Sequence, residues 1–347
     1  MLARRDAEVA RQRVDDILPF WDRATTSDST PGLADQVLRV ACAIDDPRRA
    51  TALVEPLRLE QLTPKTAPCW LELINRYGLA WCTQTLEHWD SRDANTYEHE
   101  PRAKWIAALP AWASPLSKSG QADAVELVRW IAGAQWTWLH RWLGAWLKPP
   151  LSSHSLKNIQ HAGRPIVGLL ATAALADDRA LLSTIIERLT TAGGYPITGA
   201  LSVLRAGAPH DAAALGLEAL HADCTRTLTE LLATPARAPD DWSITTQLGC
   251  KCGLCGRLGQ FLRAKTERQL PWPLANDARA HVHQTITSCE LPVTHVTQRV
   301  GRPYTLVLTK TAALFAREVT ARKGYLQDLA WLRACAKPSR KTRSKRP

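Results

Sequence analysis

Wherever apolar residues recur in this chain before Trp242, they recur at helical spacing, and no stretch alternates as a half-buried strand does. Residues 33–44, 67–89, 122–147, 165–176, 179–192 and 212–233 each carry such a stripe. In the fifth, Leu181, Ile185 and Leu189 form one line, with Leu182 and Ile186 beside it. Gly193-Gly194 closes that helix and Pro196 blocks its continuation. Asp45-Asp46-Pro47 and Ala208-Pro209-His210-Asp211 punctuate in the same way, each ending where a helix can start. Short connections between such helices favour antiparallel neighbours, hence a helical bundle or an αα solenoid. No repeat of fixed period accompanies the pattern.

A length of 347 residues suits two domains. Hydrophobic residues at 45% and charged residues at 22% are globular values rather than those of a disordered chain. The segment 234–242 (TPARAPDDW) is rich in proline and charge and is the expected boundary. Beyond it, 258–265 and 275–287 read as short helices, and then the period changes. Residues 293–299 and 304–310 are β-branched and alternating, joined by Val300-Gly301-Arg302-Pro303, which predicts a hairpin. A last helix is expected over 311–334. The expected division is a helical body at 1–242, a small α+β module at 243–336 and a basic disordered tail at 337–347. The fold class is therefore mostly α, with a bundle or solenoid body and a C-terminal zinc module containing a β-hairpin.

The zinc expectation comes from Cys250-Lys-Cys252-Gly-Leu-Cys255-Gly, followed by His281-Val-His283. Zinc takes thiolate sulfur and imidazole nitrogen in a tetrahedron, and a Cys-x-x-Cys turn presents two thiolates to one ion. Cys250, Cys252, Cys255 and one histidine would close the coordination sphere, the arrangement of a structural site. Cys250 and Cys252 stand too near one another to bind equally well by default. His281 and His283, if helical, point about 200° apart, so one of them reaches the ion. A redox Cys-x-x-Cys lacks its βαβ surroundings here. The remaining cysteines are scattered. Cys42, Cys69, Cys82 and Cys224 sit inside apolar helical patterns, as buried thiols do, and a secreted disulfide framework does not fit.

The segments CKCGLCGRLGQFLRAKTERQL, ARAHVHQTI and THVTQRVGRPYTLVLTKT resemble a Cys-rich region of large fungal and some bacterial proteins. Those proteins carry a 2-oxoglutarate/Fe(II) oxygenase-like domain further upstream. The shared pattern comprises Cys252, Cys255, Leu258, Phe261-Leu262, Arg279, His281, Gly301, Pro303, Thr305–Val307 and Thr309-Lys310, across about 80 residues. The resemblance implies His281 rather than His283 as the ligand. It implies no oxygenase activity, because the oxygenase domain is not seen in this chain. His221-Ala-Asp223 has the spacing of an iron-binding His-x-Asp, yet Leu215, Leu220, Leu228, Leu231 and Leu232 surround it in a helical pattern. Two positions on a helix face different ways, and no strands are present to build a barrel. Phosphate loops, dinucleotide fingerprints, nucleophile elbows and His-Glu-x-x-His are missing too.

Trp138, Trp142 and Trp146 recur every four residues, and a stripe at that spacing is expected to be core. A peptide groove or a surface-lying membrane helix are the other readings. Residues 125–147 are the most apolar long stretch, but Arg129, His140 and Arg141 interrupt it, so no bilayer span is expected. The opening MLARRDAEVARQRVDDIL lacks the apolar core of a secretory signal, so the expected location is cytoplasmic, or nuclear in a eukaryote.

Net charge is +11, and its placement is uneven: nineteen Lys/Arg against five Asp/Glu after Trp242, but 25 against 28 before it. Such a basic end faces polyanions or solubilises the chain. The expected contacts to nucleic acid are Lys251, Arg257, Arg263, Arg299, Arg302, Lys310, Arg340, Lys341 and Arg343. The function expected is that of a non-enzymatic binding or scaffold protein. Its basic module would contact DNA, RNA or an acidic partner, and its helical body would engage a protein partner. The alternative is an accessory subunit of a separately encoded oxygenase or nuclease.

Overall fold

The computed structural model describes residues 2–25, 32–93 and 99–335, and before Trp242 the described residues form helices and no strand. In chain order these are α1 (Leu2–Thr25), α2 (Leu33–Ala43), α3 (Pro47–Val54), a 3-10 turn (Leu59–Gln61), α4 (Ala67–Asp93), α5 (His99–Ser117) and α6 (Ala122–Trp146). Then follow α7 (Ser153–His161), α8 (Gly163–Leu175), α9 (Arg179–Leu189), α10 (Ile197–Gly207) and α11 (Leu217–Ala233). After the proline-rich segment come α12 (Gly253–Arg263), β1 (Gln269–Pro273), α13 (Asn276–Ser288), β2 (Val293–Gln298), β3 (Thr305–Lys310) and α14 (Ala313–Cys335). No described helix is long and apolar enough to cross a membrane.

The chain divides into two compact units that interleave in sequence. One comprises residues 1–142, 162–188 and 202–217; the other comprises 143–161, 189–201 and 218–347. Trp242 lies inside the second of these units. Arg237, inside the proline-rich segment, donates from its backbone N–H and its Nε to the Glu318 carboxylate of α14 (3.0 and 2.7 Å) and from Nη1 to the Asp241 carbonyl (3.1 Å). Composition marks this stretch as a linker, but one guanidinium ties it down.

In the first unit, tryptophan does much of the space-filling that leucine or phenylalanine does elsewhere. Trp70, Trp89 and Trp112 are fully buried, and Trp70 meets the other two edge-on at 5.7 and 6.2 Å. The indole N–H of Trp89 donates to the Val54 carbonyl (3.0 Å) and that of Trp105 to the Leu62 carbonyl (3.1 Å). Asp46 caps α3, accepting from the Arg48 and Arg49 amides, with Pro47 in the first turn. α5 and α8 approach closely because Pro110 leaves the Ile106 carbonyl without a helical donor, and Gly168 lies against that oxygen. A Cβ at Gly168 would stand 2.4 Å from it.

The tryptophan stripe of α6 is not core, contrary to its spacing. Trp138, Trp142 and Trp146 are half-buried, whereas Leu127, Ile131, Leu139 and Leu143 supply the buried face with Trp136. Trp138 and Trp142 stack in parallel at 6.4 Å, and the buried Arg102 guanidinium lies 4.4 Å over Trp138. The four lone cysteines Cys42, Cys69, Cys82 and Cys224 are buried.

The second unit contains a three-stranded antiparallel sheet in the order β1-β3-β2. The hairpin β2–β3 matches the alternation, with Val296 opposite Val307. β1 does not come from that signal, and it extends the expected hairpin to three strands. Gln-Leu-Pro-Trp-Pro reads as a breaker, yet an edge strand accepts proline wherever the N–H faces away from the ladder. Trp272, Leu306, Leu308, Phe261, Val282 and Ile286 form the core between the sheet and helices α12 and α13.

Candidate metal centre

The Cys-rich turn becomes a metal-binding geometry because it starts a helix. Cys252 is the N-cap of α12, extended at φ −69°, ψ 165°, and its sulfur accepts from the Cys255 amide (3.5 Å). That turns the Cys252 and Cys255 sulfurs to the same side. The Cys252 amide in turn donates to the Cys250 sulfur (3.4 Å), which folds the preceding residue over the same point. α13 supplies the fourth group: His281 Nε2 lies 3.3 Å from the Cys252 sulfur and 3.2 Å from that of Cys255. The donor atoms of Cys250, Cys252, Cys255 and His281 all lie within 4.8 Å of one another. In a zinc tetrahedron the sulfur–sulfur and sulfur–nitrogen edges are about 3.5–3.8 Å, so this set fits a single ion with small adjustment.

Burial grades across the cluster. Cys255 is buried, Cys250 half-buried and Cys252 exposed. The amide N–H of Cys255, followed by the Cys250 thiol, holds the Cys252 thiol down at about 6, whereas burial pushes Cys255 up to about 11. Thr285, one turn beyond His281, donates to the His281 carbonyl (2.9 Å), and its hydroxyl lies 3.8 Å from the Cys255 sulfur. His283 points elsewhere. Its ring stacks on His295 of β2 at 4.0 Å and 24°, and its Nε2 is buried with no hydrogen-bond partner among the described residues. Burial first, then the neighbouring His295, depress its pKa.

The basic residues separate into two groups. Lys251, Arg257, Arg263, Arg299 and Arg302 are exposed. Arg257 lies over the Trp272 ring (4.9 Å), while Arg299 and Arg302 occupy the β2–β3 turn. Lys310 is not a surface contact, which corrects its assignment to nucleic acid. It is fully buried, donating to the carbonyls of Leu262 (3.2 Å) and Ala264 (2.6 Å) with its ammonium 4.7 Å over Phe261. There it satisfies the last carbonyls of α12, whose negative dipole end favours a cation. Arg340, Lys341 and Arg343 lie outside the described residues.

Charge alone did not single out Arg279, although it belongs to the resemblance pattern. It stacks 5.3 Å from the Tyr304 ring and donates to the Leu274 carbonyl (2.5 Å), two residues before the candidate ligand His281. Arg268 lies over Trp242 (4.5 Å) in the same manner. His221 and Asp223 form no metal pair: His221 Nε2 meets the Leu332 carbonyl (3.0 Å), and Asp223 accepts from Thr191 and Arg226.

No protein-family model, no curated protein and no solved structure matches the chain.

Proposed function

We propose that this chain is a non-enzymatic binding protein whose C-terminal module is stiffened by a structural zinc ion and docks on nucleic acid. The observation that carries the reading is the convergence of Cys250, Cys252, Cys255 and His281 on one point. Three thiolates and an imidazole are zinc ligands, and four protein donors leave no position for substrate or an activated water. Such an ion contributes folding free energy rather than chemistry. The nucleic-acid half of the proposal draws on Lys251, Arg257, Arg263, Arg299 and Arg302, all exposed in a basic module. Arg257 and Arg279 are held over aromatic rings, so less side-chain freedom is lost when they meet a phosphate.

A second reading, an accessory subunit of a separately encoded oxygenase or nuclease, draws on the resemblance in the Cys-rich segment. The residues of that pattern are ligands, module core and hairpin: Cys252, Cys255 and His281, then Leu258, Phe261 and Leu262, then Thr305–Val307. They describe a scaffold that another catalytic chain can use.

The test combines elemental analysis of protein purified without chelator with binding to mixed-sequence duplex and single strand across salt concentrations. One zinc per chain, with affinity falling as salt rises, supports the first reading. Zinc without any binding at low salt moves the function to a protein partner, and absence of metal removes the proposal.

A further inference from the structure

We infer that β2 is a docking edge for a second copy of this chain, the two copies pairing antiparallel through Val293–Gln298 about a two-fold axis at Val296. The inference is independent of the nucleic-acid reading and rests on the hydrogen-bond parity of the sheet.

β3 is the central strand, so β1 and β2 each have an outer edge. The Lys310 amide donates to the Arg268 carbonyl (2.9 Å), and the Leu274 amide donates to the Tyr304 carbonyl (3.1 Å). In an antiparallel ladder these bonds alternate, so Arg268, Leu270, Trp272 and Leu274 turn their backbone groups toward β3. Gln269, Pro271 and Pro273 face outward, and two of those three have no N–H to offer. That edge is closed.

The other edge is built differently. The Thr311 amide donates to the Pro292 carbonyl (2.9 Å), which places Thr294, Val296 and Gln298 in the bonding set toward β3. Val293, His295 and Thr297 therefore face outward. The Val293 amide is used locally, donating to the Leu291 carbonyl (2.7 Å). The outward amides of His295 and Thr297 have no partner among the described residues. Natural edge strands are blunted with charge, proline or a bulge. Val-Thr-His-Val-Thr-Gln has none of the three, in a module otherwise dense with Lys and Arg. Val296 is 65% exposed on the solvent face, and Val300, just past the strand, 86%.

A second copy satisfies this edge from its own sequence. With the axis at Val296, His295 of one copy opposes Thr297 of the other, twice, and each pair exchanges two N–H···O bonds. The two Val296 side chains meet in the close, non-bonded position between them, at about 4.5 Å between Cα atoms. Thr294 opposes Gln298 and Val300 opposes Pro292, so no like charges are brought face to face. The result is one six-stranded sheet ending on both sides in the proline-bearing β1. Pairing stops at two, as a closed isologous contact does. One strand pair buries less than a stable complex needs, so the dimer is weak and concentration-dependent. Because both modules are basic, added salt screens their repulsion and strengthens the dimer, the reverse of its effect on nucleic-acid binding.

The experiment is sedimentation velocity of the nuclease-treated full chain over a range of concentrations and salt. The expected result is a reversible monomer–dimer equilibrium that strengthens with salt. Val296→Lys puts two ammonium groups face to face and should weaken it by about tenfold or more. Thr297→Pro removes an outward N–H and no bond of the internal ladder, and should do the same. Unchanged zinc content and circular dichroism establish that each variant is folded. A monomer at every concentration, a dimer that survives both substitutions, or one that dissociates as salt rises would overturn the inference. Either outcome leaves the nucleic-acid reading where it stands.

Discussion

His281 and His283 sit two positions apart on α13 and face opposite environments: one nitrogen lies 3.2 Å from the Cys255 sulfur, the other ring stacks on His295. The helix itself makes the choice between them, since about 200° separates their directions. His281→Ala should therefore lose more zinc affinity than the roughly 10–100-fold typical of removing an outer partner. His283→Ala should keep full metal content. Competition with a chromophoric chelator measures both, and equal losses would contradict the assignment.

Chelation should act locally. If the ion supplies folding free energy, its removal opens amides in α12 and α13 to hydrogen exchange and leaves the tryptophan-lined core around Trp70 protected. Exchange followed by mass spectrometry reads both regions in one experiment. Uniform deprotection of the chain would mean that the ion holds more than its module.

Lys310→Met retains the bulk of the side chain but leaves the Ala264 carbonyl without its donor, while Leu262 keeps only the Ile244 amide (2.7 Å). The expected cost is about 1–3 kcal/mol, read as a lower denaturation midpoint, with zinc content unchanged. Nucleic-acid affinity of the folded variant should not fall. Arg257→Ala and Arg302→Ala should do the reverse, sparing stability and each lowering the salt slope by about one.

The Arg237–Glu318 pair makes a pH prediction. Hydrogen bonds from the Arg237 side chain and backbone hold the Glu318 carboxyl below its ordinary 4.5. A depressed carboxylate contributes stability above its unfolded value and loses it as pH falls through the folded one. Glu318→Gln should thus be less stable than the parent at pH 7, by about 1 kcal/mol or less. Near pH 3 the difference should shrink. A gap of constant size from pH 7 to 3 would exclude this carboxylate as its source.

Helices with a clean apolar face, such as α2 and α9, were readable from spacing because burial on one side leaves that mark. α5 was not, since Pro110 and Pro115 are ordinary signs of a break, and only the close approach of Gly168 makes use of the carbonyl that Pro110 exposes. β1 was hidden for the same reason: whether a proline breaks a strand depends on which way its nitrogen faces, a tertiary fact. The Cys/His cluster was legible because thiolate spacing has few other uses. Lys310 was not, because a buried lysine and a surface lysine are spelled alike, and only the open end of α12 distinguishes them.

The order of the strands also bears on how the chain emerges from the ribosome. β3, the strand to which both others bond, is the last of the three to be made. Until Thr305–Lys310 leaves the exit tunnel, the stretches that become β1 and β2 have nothing to pair with, and neither pairs with the other. The four candidate ligands are complete earlier, at His281. During synthesis the cluster can thus close before the sheet exists, and a chain truncated before Thr305 keeps these four residues but never has a sheet.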